Sequence, residues 1–66
     1  MKNNKYFKNS NTGYLIHQIT FVHYEDNPDV RYYNAWGSRL YNVDLTGYVE
    51  ISEKKFKLLQ KKIGKK

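Results

Sequence analysis

Apolar residues in this chain recur first at a period of two and then, after residue 52, at spacings of three and four. The first pattern is clearest in Tyr14–Tyr24, where β-branched and aromatic residues dominate and neither Gly nor Pro interrupts. Its alternation predicts a strand with Leu15, Ile19 and Phe21 facing a core and Gln18 and Thr20 facing away. Ile16 and Val22 break the alternation, which predicts partial cover on the second face as well. Ahead of it, Lys2–Lys8 is polar apart from Tyr6 and Phe7, and Asn9-Ser10-Asn11-Thr12-Gly13 is a dense turn signal. Lys5–Lys8 therefore reads as an edge strand, where lysines discourage unwanted pairing, with residues 1–12 otherwise a loose N-terminus.

Glu25–Asp29 is an acidic loop, because Pro28 disfavours both helix and central strand. Val30–Trp36 predicts the next strand. Gly37-Ser38 fits a two-residue type II′ turn, returning Arg39–Val43 antiparallel. Asp44–Gly47 makes a further turn before a short strand, Tyr48–Ile51. Ser52 then suits an N-cap, with Glu53 in the first turn against the helix dipole. Phe56, Leu59 and Ile63 form one narrow apolar stripe, Lys54, Lys57, Lys61 and Lys65 cluster opposite it, and Gly64 is a natural stop. Leu58 falls on the lysine side. The predicted fold is α+β: an antiparallel β-meander of four to five strands, with one C-terminal helix packed on one face.

Length confines this to a single domain, residues 1–66 with 64–66 as a frayed tail, and to a small core of marginal stability. No cysteine is present to reinforce it, which suits a reducing compartment. Eleven aromatic side chains (seven Tyr, three Phe, one Trp) set it apart from disordered chains. No apolar run follows the charged start and none approaches a bilayer's thickness, so the expectation is a cytoplasmic protein without membrane association.

Charge adds an asymmetry. The net charge is +6; residues 1–33 contribute +1 (four basic, three acidic) and residues 34–66 contribute +5 (eight basic, three acidic). From Glu53 onward one acid stands against seven lysines. A helix face that served only solubility would more often mix signs, so the excess points toward an anionic partner.

Candidate chemistry narrows the choice further. His17 and His23 share strand parity but lie six residues apart, roughly 20 Å on an extended chain, whereas a metal holds its ligands about 2 Å away. They read as residues at the edge of an aromatic core. Ser10, Ser38 and Ser52 have simpler uses in turns and a cap, the acids of 25–29 make a solvated loop, and the glycines stand singly. No nucleophile–base pairing or phosphate-cradling loop emerges, and so small a core leaves little room for a water-excluding pocket. The expectation is a protein that is not an enzyme, with no cofactor, metal or small-molecule substrate.

What remains is aromatic and basic residues together. Arg31, Tyr32, Tyr33, Trp36, Arg39 and Tyr41 flank Gly37-Ser38. Such a surface can stack unpaired bases and meet phosphates, and the same residue types make protein–protein hot spots. Strand parity sets Val30, Tyr32 and Trp36 on one face and Arg31, Tyr33 and Ala35 on the other, so some of these rings must be core. The candidate nucleic-acid contacts are Arg31, Tyr33, Trp36, Arg39, Tyr41, Lys54, Lys57 and Lys61. The leading expectation is a small binding module for nucleic acid. The alternative is a protein-interaction module, either a modulator of a host protein or a homodimer.

The junction Tyr48-Val49-Glu50-Ile51-Ser52-Glu53-Lys54-Lys55-Phe56 resembles a strand-to-helix junction common in small phage- and prophage-encoded accessory proteins, with Glu-Ile-Ser, charged residues and then an aromatic. The resemblance covers these nine residues. It implies an accessory protein of a phage or mobile element, many of which bind host proteins or nucleic acid, and carries over no functional residues.

Overall fold

The computed structural model describes residues 2–22 and 27–64, which form five strands and one helix: β1 (Lys2–Asn9), β2 (Leu15–Phe21), β3 (Asp29–Tyr33), β4 (Arg39–Leu40), β5 (Tyr48–Ile51) and α1 (Glu53–Gly64). All pairings are antiparallel and the sheet order is β4-β3-β2-β1-β5. β1 to β4 form the predicted meander. The fifth strand leaves it and pairs with β1 at the opposite edge. Residues 41–47 therefore bridge four strand spacings, about 19 Å, and within them Val43 and Leu45 are half-buried.

That crossing corrects the reading of the N-terminus. β1 is paired with β2 along its length and, from Tyr6 to Asn9, with β5 on its other side. Lys8 lies inside the stretch paired on both sides, whereas Lys2 and Lys5 precede the β5 pairing and keep an open edge there.

Asn and Asp side chains shape the turns at one end of the sheet. Asn9 Oδ1 accepts the N–H groups of Asn11 and Thr12 at 2.8 and 2.9 Å, and Gly13 closes that loop at φ 79°. Asp44 Oδ1 accepts the N–H of Thr46 at 2.9 Å ahead of Gly47 at φ 83°. The β3–β4 connection is longer than the predicted two-residue turn. Asn34 N–H donates to Ser38 O at 2.9 Å, enclosing a three-residue loop, Ala35-Trp36-Gly37, with Gly37 at φ 87°. Asn34 Oδ1 accepts the N–H groups of both Trp36 and Ser38, at 2.9 and 3.0 Å. A type I turn followed by a left-handed glycine is the usual three-residue solution, and the asparagine favours it here.

β3 consequently ends at Tyr33, and Trp36 lies at a loop tip rather than on the strand face of Val30 and Tyr32. β4 stops at Leu40, short of the predicted Val43, because Asn42 takes φ 55°. Nothing lies within 4 Å of a Cβ added at Gly37, so Gly37→Ala has only backbone strain to bear. A loss of about 1 kcal/mol is expected, read as a lower urea midpoint at unchanged m-value.

Helix α1 starts as predicted, with Lys55 N–H donating to Ser52 Oγ at 3.1 Å. Phe56 is 4% exposed and packs in one cluster with buried Leu15 and Ala35, joined by Tyr6, Ile51 and Leu59. Ile63, expected to be buried with them, is 40% exposed. On the sheet face away from the helix Ile16 is only 5% exposed, so that face is partly covered, as its break in alternation foretold.

A one-sided basic surface and an apolar cleft

Register decides which side chains share a face. Ile51, Tyr6, His17, Tyr33 and Arg39 are paired in turn and form one row across all five strands. Tyr6 touches Phe56 at a ring-centroid distance of 4.9 Å, so this row lies on the helix side. The next rows on that side are Asn4–Ile19–Arg31 and Lys2–Phe21–Asp29, and Lys8 opposes Leu15. Among the described residues, every lysine and arginine except Lys5 therefore stands on the helix or on the sheet face that carries it. The other face presents Phe7, Ile16, Gln18, Thr20, Val30, Tyr32 and Leu40, with Lys5 and Glu50 its only charged strand residues among those described.

The candidate contacts divide accordingly. Arg31, Tyr33 and Arg39 share the helix side, on the half of the sheet that leads away from β1, where the helix rests. Arg31 is engaged: it pairs with Asp29 at 3.0 Å and its guanidinium lies 5.0 Å from the Phe21 ring centre. Asp29 foremost, and Tyr33 after it, raise its pKa. Arg39 is exposed, and its guanidinium lies 5.1 Å from the centre of the exposed Tyr41 ring. On the helix, Lys57 pairs with Glu53 at 3.1 Å, whereas Lys54 and Lys61 meet no described carboxylate. Lys54, Lys57, Lys61 and exposed Leu58 line a shallow depression of about 200 Å³ on the outer surface. No three described His, Asp or Glu residues come together as metal ligands would, and no described helix is long and apolar enough to cross a membrane.

Trp36 stands apart from these cations. With Tyr14, Leu40, Tyr48 and Ile63 it borders an open apolar cleft of about 800 Å³ at the loop end of the sheet. Trp36 is 68% exposed and Tyr14 67%. Strand patterning did not point to this cleft, because Tyr14 is separated from Trp36 by most of two strands and from Ile63 by the whole sheet. The local hint is an aromatic at each of two turns, Tyr14 directly after Gly13 and Trp36 directly before Gly37.

His17 is a half-buried titratable group on the helix side. Its ring stacks on Tyr6 at 4.6 Å, tilts against Phe56 at 5.9 Å and Tyr33 at 6.4 Å, and its Nε2 lies 2.9 Å from Asn4 Oδ1. This agrees with its reading as a residue of the aromatic core; His23 and the acids Glu25 and Asp26 lie outside the described residues. Burial lowers the His17 pKa, nearby Lys2 lowers it further, and Glu53 opposes them. The unfolded chain therefore takes up the proton first as pH falls. Stability is full above the unfolded value of about 6.5 and declines below it until the folded ring also protonates. Thermal unfolding between pH 8 and pH 5 should show the midpoint falling below pH 6.5, and His17→Gln should flatten that part of the profile.

Comparison of the chain with family models, with curated proteins and with solved structures finds no match.

Proposed function

We propose that this chain is a small, non-enzymatic, cytoplasmic binding module that contacts nucleic acid through its helix side. The observation that carries the reading is the segregation of charge: all described cations but Lys5 gather on one side, and of the described strand and helix residues there Asp29 and Glu53 are the acids. Phosphates attracted to such a surface release counterions, and this gives affinity without sequence preference. Arg39 over Tyr41 adds a cation backed by a ring at the margin of that surface. The phage-like junction supports an accessory role in a phage or mobile element.

Fluorescence anisotropy with labelled single-stranded DNA, duplex DNA and RNA at low and moderate salt tests it. Binding at low salt that weakens steeply with salt is expected. Absence of binding at low salt overturns the reading.

The opposite face favours a second reading, a protein-interaction module or homodimer. It carries Phe7, Tyr32, Leu40 and Val30 with little charge, and the outer edge of β5 is open to pairing. A dimer in sedimentation, together with no nucleic-acid binding, would select this alternative.

A further inference from the structure

The lining of the loop-end cleft includes no charged side chain, and its two most prominent walls are the exposed rings of Tyr14 and Trp36. Polar groups in it are few. Asn34 is one of them: its Oδ1 is held by two backbone N–H groups, which fixes the amide and leaves Nδ2 as a donor with no partner among the described residues. One strand cation neighbours the lining in register: Lys8 opposes Leu15 on the helix side of the sheet. A neutral floor and aromatic walls that reach, at Leu15, the basic side of the sheet complement a ligand with an uncharged planar body on an anionic backbone.

We infer that this cleft receives an unpaired nucleobase stacked on Trp36, so that the module prefers single-stranded nucleic acid to duplex. The inference rests on the nucleic-acid reading above and deepens it. In a duplex each base face is already covered by its neighbours, and only a free strand can offer one to the cleft while its phosphates stay on the basic side. Stacking on a protein ring tolerates any base, so preference for strandedness without preference for sequence follows.

Trp36 is the single tryptophan, so its emission reports on this cleft alone. The protein is titrated at low salt with an oligothymidylate, with a duplex of equal length, and with an abasic strand of equal length carrying the same charge. The base-bearing single strand should bind tightest and quench Trp36, while the other two bind more weakly and leave its emission nearly unchanged. Trp36→Ala should weaken single-strand binding about tenfold and leave abasic binding as it was, whereas Trp36→Phe should keep most of the preference. Because Trp36 is mostly exposed, both variants should retain the far-ultraviolet spectrum of the parent.

Equal binding of all three ligands with unchanged emission would overturn the inference and leave the basic-surface reading standing. Binding of none would remove both. Emission that shifts with protein concentration alone would mean that a second copy fills the cleft, and would also overturn it.

Discussion

Phe56→Ala should leave this domain largely unfolded at room temperature. Among the helix residues of described burial Phe56 alone is nearly sealed from water, and its ring meets Tyr6 and His17 while its side chain clusters with Leu15 and Ala35. Truncating a buried Phe costs about 3–5 kcal/mol. A domain of this length holds about 5 kcal/mol in total or less, so the loss is comparable to the whole. The rest of the helix offers no replacement: Leu59 is half-buried and Ile63 is 40% exposed beside the cleft. Circular dichroism across a urea titration should show a transition shifted nearly to zero denaturant. Leu58→Ala is the matched control, since Leu58 is exposed on the outer side and its loss should move the midpoint little.

Replacing Lys54, Lys57 and Lys61 together by Ala should cut nucleic-acid affinity at low salt and flatten its salt dependence. If each lysine neutralises one phosphate, the slope of log K against log salt should fall by about 2 on a single strand, at roughly 0.7 per contact. Lys57 should account for less than its share, because Glu53 already engages it at 3.1 Å. All three side chains are exposed, so thermal stability should hardly change, and Glu53→Gln should strengthen binding slightly by freeing Lys57. An unaltered slope in the triple variant would place the phosphates elsewhere, with Arg39 and the β1 lysines the next to replace.

Both expectations depend on features that differ in how far the chain declares them. The helix was legible because each of its signals is local: Ser52 caps, Glu53 opposes the dipole, and the 3.6-residue period separates Phe56 from Lys54 and Lys61. Strand faces were legible for the same reason, since parity alone sets Arg31 with Tyr33 and Val30 with Tyr32. The β3–β4 turn was misjudged through a competing local rule. Gly37 does take the left-handed conformation, but Asn34 binds two amides ahead of it and closes a three-residue loop where Gly-Ser had suggested two.

Other features belong to no local segment. Strand order is set by which surfaces can be buried together, and β5 finds its place beside β1 after a seven-residue crossing that no turn residue announces. That choice makes the second half of β1, Tyr6–Asn9, interior. It also starts the helix at the β1–β5 edge, and Gln60 Nε2 then reaches Ala35 O at the loop end of the sheet.

By itself the sequence determined the α+β composition, the helix and its two faces, the parity of each strand, and a positive charge weighted toward the C-terminal half. Periodicity, capping and charge are properties of neighbouring residues, and no partner element is needed to read them. Only the tertiary structure decided that the sheet cations and the helix lysines occupy one side, that Arg31 and Lys57 are already engaged, and that Tyr14, Trp36 and Ile63 border one cleft. These depend on register and on the packing of helix against sheet, which join residues far apart in the chain through the common burial of Leu15, Ala35 and Phe56.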